Sequence, residues 1–122
     1  MKQNKKNFAT LTTPFEKDLN ASKPFHEYPR PTMARDSYLS LNGPWSFRII
    51  RNTQHVFEGE IIVPFPPESK LSGVCREIEK PDTLIYSRTF TVPDGFNKGC
   101  VLLHLDAVDQ TFDDAILKLD TV

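Results

Sequence analysis

Ten prolines and five glycines cut this 122-residue chain into short segments. The apolar residues between them recur with the two-residue period of a half-buried strand. Pro24, Pro29 and Pro31 forbid a helix in the opening stretch, so residues 1–31, rich in Asn, Lys, Thr and Pro, are expected to form an extended lead-in. Asn42-Gly43-Pro44 is a turn signal, and residues 45–49 alternate apolar and polar beyond it. A second strand is expected over residues 56–63, with Gly59 inside it and Ile61-Ile62-Val63 at its end. Pro64-Phe65-Pro66-Pro67 then stops any ladder, because each proline removes a backbone donor. Residues 71–83 read as a loop, and residues 85–92 as a strand ended by the turn Pro93-Asp94-Gly95. Over residues 101–108 Val101, Leu103, Leu105 and Ala107 share one face, while His104 and Asp106 point the other way. One more strand is possible over residues 115–119, no stretch predicts a helix, and there is no internal repeat. Short strands separated by Pro and Gly turns predict an all-β fold, a β-sandwich or jelly roll, over residues 32–122.

The length allows one domain, and a hydrophobic content of 39% allows it a packed core. A net charge of -1 offers no concentrated basic face, so no nucleic-acid partner is expected. Lys2, Lys5 and Lys6 read as a solvated, frayed terminus. No apolar run reaches the length of a membrane span, and no membrane partner is expected. The opening residues carry positive charge without an apolar stretch behind it, which predicts a cytoplasmic chain without a signal peptide. Cys75 and Cys100 are then expected as free thiols. His26, His55 and His104 are scattered singly, without the close pairs of a zinc site, so neither a metal nor another cofactor is expected.

Two side chains test the strand pattern. Trp45, the single tryptophan, shares parity with Phe47 and Ile49 and is expected in the core. Arg88 shares parity with Tyr86, Phe90 and Val92, so a regular strand aims its guanidinium at the buried side. A buried guanidinium must find a partner, or the strand must bulge to release it. The partner expected here is an inter-sheet or edge salt bridge, with a ligand contact as the sharper alternative.

Five segments, in order, resemble the N-terminal domain of family 2 glycoside hydrolases, the group of β-galactosidases, β-glucuronidases and β-mannosidases. Tyr28-Pro29-Arg30-Pro31 with Arg35-Asp36-Ser37 looks like the lead-in of that domain. Leu41-Asn42-Gly43-Pro44-Trp45-Ser46-Phe47 is similar to its first strand, and Val63-Pro64-Phe65-Pro66-Pro67-Glu68-Ser69 with Leu71-Ser72-Gly73 to a loop of one bacterial branch. Tyr86-Ser87-Arg88-Thr89-Phe90-Thr91-Val92-Pro93 and residues 101–110 resemble two later strands. The resemblance implies a galactose-binding-like jelly roll, the class that strand period and turn chemistry predict independently.

The resemblance ends at Asp109-Gln110. The family pattern continues to an Asn-Gly turn, a His and paired glycines, whereas residues 111–122 contain no Asn-Gly. This departure is expected of a truncated or frameshifted gene or a cut chain, one in which the sheet is left open and the isolated chain is marginally folded or self-associates. A retaining β-glycosidase needs two closely placed carboxylates, which in this family are barrel glutamates, the acid/base following an asparagine. No Asn-Glu dipeptide occurs here, and the 16 acidic residues are spread out. Asp113 and Asp114, being adjacent, would face opposite sides of a strand. No catalytic residue is therefore expected in this chain.

In the family, one loop of this domain reaches the active-site rim, and the similar loop here spans residues 65–76. The resemblance implies Glu68 as an acceptor for sugar hydroxyls, assisted by Ser69 and Arg76. The other reading makes residues 64–69 a rigid connector in which Glu68 answers a backbone amide or Arg88. The expected partners are accordingly a β-glycoside or oligosaccharide, and the remainder of a glycosidase or another copy of the chain. Two functions stay open: a non-catalytic sugar-binding piece of a β-galactosidase-like hydrolase, and a free-standing carbohydrate-binding module. An exposed aromatic platform would favour the second.

Overall fold

A computed structural model describes residues 13–27, 32 and 35–106. The chain divides into two units, residues 1–92 and 93–122. Among its described residues the first is of β character, an antiparallel sheet of three strands in the order β2-β1-β3. They are β1 (Gly43–Arg51), β2 (Gln54–Val63) and β3 (Asp82–Ser87).

Strands β1 and β2 form a hairpin around Asn52 and Thr53, whose φ values of 48° and 69° are both positive. A two-residue turn of type I′ requires this, because only the primed turns match the right-handed twist of the strands they join. Asn tolerates the left-handed region, and β-branched Thr does not. One residue beyond, the register shifts between Ile49 and Ile50, which pair with Phe57 and His55. Val56 is thus the extra residue of a bulge.

Alternation divides the sheet into two faces. One carries Trp45, Phe47 and Ile49 from β1, with Phe57, Ile61 and Val63 from β2 and Leu84 from β3. Val74 and Ile78, from the connection between β2 and β3, close over this face. Phe47 and Ile61 are completely buried and Ile49 nearly so. Burial of each such side chain contributes about 1.5–3 kcal/mol. Gly59 stands opposite Phe47, and a Cβ there would lie 2.9 Å from the Phe57 ring. The missing side chain therefore makes room for Phe57, whose ring centroid is 6.0 Å from that of Phe47. The opposite face presents Ser46, Arg48, Glu58 and Glu60 to solvent.

At one end of the sheet an ion cluster ties β1 to β3. Arg51 grips Asp82 with both ends of its fork, Nε to Oδ1 at 2.6 Å and Nη2 to Oδ2 at 2.8 Å. The Glu79 amide donates to the same carboxylate at 2.9 Å, and Arg51 Nη1 lies 3.0 Å from the Glu79 carboxylate. Bidentate pairing of this kind is among the stronger polar contacts available to a protein. The Arg51 hydrogen bonds hold the Asp82 carboxyl below its ordinary pKa.

At the other end the ladder obeys a single proline. Ile62 sends its N–H away from β1, to the Ser72 carbonyl at 2.9 Å. Pro44, its register partner, therefore faces β3, where its lack of an N–H matters. The last β1–β3 pair is Ser46 with Ser87. The next bonded pair would need a donor from Pro44, and β3 stops at Ser87 instead. The strand expected over residues 85–92 is therefore corrected to Asp82–Ser87, with residues 88–92 outside the ladder.

Other expectations are also revised. Asn42-Gly43-Pro44 is not a turn, because Gly43 and Pro44 already belong to β1. Gly43 sits at φ +123°, and a Cβ there would lie 2.8 Å from the Ser22 carbonyl oxygen. The glycine thus serves close approach of the lead-in. Among its described residues that lead-in contains a 3₁₀ turn, Pro14–Asp18, with its proline at the start where a missing N–H is tolerated.

In the second unit Phe96 N–H donates to the Pro93 carbonyl at 3.1 Å, closing the expected turn. The strand expected over residues 101–108 does not form over 101–106, which are exposed and unladdered. Its last two residues and the possible strand at 115–119 lie outside the described residues. Among the described residues no helix is long and apolar enough to cross a membrane.

Candidate functional site

The loop of residues 64–76 is built around a serine that sequence reasoning did not single out. Ser72 is completely buried. Its hydroxyl donates to the Ser69 carbonyl at 2.8 Å and accepts from the Val74 amide at 3.1 Å. The Ser72 amide in turn donates to Ser69 Oγ at 3.2 Å. Ser69 Oγ donates to the Pro66 carbonyl at 2.9 Å, and the Arg76 amide reaches the Pro67 carbonyl at 3.0 Å. These bonds satisfy the polar groups of a loop that must fold over the core. A spacing of Ser at positions 69 and 72 among prolines was the available signal for it.

The loop brings two of the three expected site residues to the surface with their polar atoms available. Glu68 is exposed, and among the described residues nothing bonds its carboxylate. It answers neither a backbone amide nor Arg88. Arg76 is also exposed and lies 5.0 Å over the Phe57 ring, which leaves the edges of its guanidinium open. Ser69 differs: its hydroxyl already donates once and accepts once within the loop. Beside them Tyr86 packs its ring 4.8 Å from that of Phe47. Burial, and behind it the charge of Glu68, push its phenol above the ordinary pKa.

Among the described residues Arg88 makes no salt bridge, the partner expected of it. Its Nη1 donates to the carbonyls of Leu41 and, at 2.9 Å, Asn42, and its guanidinium carbon lies 6.0 Å from the Trp45 ring. Trp45 packs against the core as expected and donates its indole N–H to the same Leu41 carbonyl at 2.7 Å. Asn42 extends the cluster, its side-chain amide donating to the Pro24 and Phe25 carbonyls at 3.2 and 3.4 Å. His26 Nε2 lies 3.3 Å from the Asn42 carbonyl. Backbone oxygens, which no sequence pattern advertises, replace the expected carboxylate.

This clamp seats the lead-in beside the sheet, with Phe25 held 5.9 Å from Phe65, ring centre to ring centre. Here Phe15, Asp18, Leu19, Lys23, Phe25 and Glu27 border an open groove of about 240 Å³.

Among the described residues no serine, threonine or cysteine side chain bonds to a histidine ring or a carboxylate, the arrangement that activates a nucleophile. Cys75 and Cys100 are free and exposed, as expected. No protein-family profile and no curated protein matches the chain.

Proposed function

We propose that the chain is a non-catalytic, galactose-binding-like jelly-roll domain of a family 2 glycoside hydrolase, β-galactosidase-like in preference to β-glucuronidase-like. The observation that carries this reading is the convergence of separate motif segments on one cluster. Leu41, Asn42 and Trp45 come from the segment similar to the family's first strand, and Arg88 from one that resembles a later strand. They meet through the Leu41 and Asn42 carbonyls.

The loop of residues 64–76 supplies the binding function in this reading. Glu68 accepts from sugar hydroxyls and Arg76 donates to them, while Ser69 chiefly keeps the loop in shape. A charge-assisted bond to a sugar hydroxyl contributes about 1.5–3 kcal/mol at most, so the affinity of this loop alone is weak. Catalysis belongs to a barrel glutamate pair elsewhere in such an enzyme.

The test is to read the gene past codon 122 in all three frames. An immunoglobulin-like region, then a barrel with an Asn-Glu acid/base, would support the proposal. Unrelated sequence in every frame would refute it and leave the free-standing carbohydrate-binding module. A companion assay of the chain on 4-nitrophenyl β-galactoside and β-glucuronide should give no turnover.

A further inference from the structure

The two outer edges of the sheet are not alike. At the β2 edge Ile62 turns its N–H outward, to the Ser72 carbonyl at 2.9 Å. Alternation turns the backbone groups of Glu58 and Glu60 the same way, and both side chains are exposed beside them. A loop bond and two like charges thus guard that edge against another strand.

The β3 edge has no such guard. Asp82 turns its N–H outward, to the Glu79 carbonyl at 2.9 Å. By the same alternation the N–H and C=O of Leu84 and Tyr86 face away from β1. Among the described residues no backbone group answers these four. Thr83-Leu84-Ile85-Tyr86-Ser87 carries no charge and is built largely of residue types that favour strands. An edge strand of that composition is a template for pairing.

We propose that β3 pairs antiparallel with β3 of a second copy of the chain, joining two three-stranded sheets into one. The occupant follows from the register. The outward groups lie on Leu84 and Tyr86, so a partner strand must set one of its own outward residues opposite each. A second β3 does so when Leu84 meets Tyr86 of the partner subunit and Tyr86 meets Leu84 of the partner subunit. Each such pair exchanges two bonds, which satisfies every outward group of both residues. The two-fold axis then passes between Ile85 and Ile85 of the partner subunit, a non-hydrogen-bonded pair in which side chains approach closely. Thr83 falls opposite Ser87 of the partner subunit, a favourable hydroxyl pair. Parity keeps Leu84 and Tyr86 on the face that holds Phe47 and Ile49, so the apolar face continues across the joint. One strand pair makes a small interface, and the dimer is therefore weak and concentration-dependent.

The experiment is sedimentation equilibrium of the full chain from micromolar to millimolar concentration, with reductant present because Cys75 and Cys100 are exposed thiols. A monomer–dimer equilibrium is expected. Amide hydrogen exchange at Leu84 and Tyr86 should slow as the dimer fills, while Glu58 and Glu60 stay unchanged. Ile85→Lys sets two ammonium groups against each other at the axis and should weaken dimerisation about tenfold or more. Ile85→Glu should do the same. An equimolar mixture of the two variants opposes unlike charges and should recover the dimer, which a merely misfolded variant could not do.

A chain that stays monomeric throughout would overturn the proposal. Protection of Leu84 and Tyr86 that does not depend on concentration would also overturn it, by showing that another segment of the same chain covers the edge. Concentration-dependent protection at Glu58 and Glu60 would move the contact to β2, and a mixture no better than either variant alone would remove the register. None of these outcomes touches the reading of the gene, so failure here is distinguishable from failure of the family proposal.

Discussion

Residues 45–49 and residues 101–105 are written in nearly the same pattern, yet only the first lie in a sheet. Trp45, Phe47 and Ile49 alternate with Ser46 and Arg48, and Val101, Leu103 and Leu105 recur at the same two-residue period, interrupted only by apolar Leu102. The first set lies between two ladders and includes fully buried Phe47. The second is exposed throughout, with Leu103 at 41% and Leu105 at 48%. The difference lies in partners. A two-residue turn returns β2 against β1 at once, whereas no ladder forms over residues 101–106. Alternation makes a segment able to be a strand, and a neighbour that accepts its hydrogen bonds makes it one.

The widest gap between the two regions should open on truncating their apolar side chains. Phe47→Ala removes a completely buried ring and should cost about 3–5 kcal/mol, enough to abolish the cooperative melt of a domain this small. Leu103→Ala should change stability by less than about 0.5 kcal/mol. Equal damage from both, in parallel urea titrations, would mean that residues 101–106 are packed in solution.

Acid should act next, and only on the sheet. The folded state holds the Asp82 carboxyl charged below its ordinary pKa. On acidification the unfolded chain therefore takes up its proton first, near the usual value of about 3.9. Stability from this group is full above that pH and declines as the pH falls through the lower, folded value. Asp82→Ala should cost about 1–3 kcal/mol at neutral pH and flatten this acid limb. An acid limb unchanged in the variant would assign it to other carboxylates.

Two changes should strengthen the sheet. Thr53→Gly relieves a β-branched residue at φ 69° and should stabilise the hairpin by about 1 kcal/mol. A lowered melting midpoint would show that the turn is not of the primed type. The smallest effect is expected from Pro44→Val, which restores the donor facing residue 89 and should extend β3 past Ser87. Slower hydrogen exchange at residue 44 and at Thr89, worth about 0.5–1.5 kcal/mol, would locate the new pair. No protection at either site would mean that Arg88, and not the proline, ends the strand.

How far the sequence could be read follows from how local each signal was. The β1 alternation, the end of β2 before Pro64 and the turn closed by Phe96 and Pro93 each rest on neighbouring residues, and all were legible. The end of β3 was less so, because the proline that limits it lies on another strand. The candidate loop was visible through its prolines and Glu68, but the buried hydroxyl of Ser72 was not, since a serine looks alike inside and outside. The groove was missed because Phe15 and Phe25 sit in a segment without periodicity.

By itself the amino-acid order determined the β class, the strand stretches at 45–49 and 56–63 and the place of Trp45, because alternation, turn chemistry and missing proline donors act over a few bonds. Only the tertiary structure decided that Arg88 bonds to backbone carbonyls, that Asp82 pairs with Arg51, and that residues 101–106 form no strand. Each of those outcomes depends on which groups distant in sequence arrive beside one another. A polar or apolar residue states what it requires, and the fold alone supplies the partner.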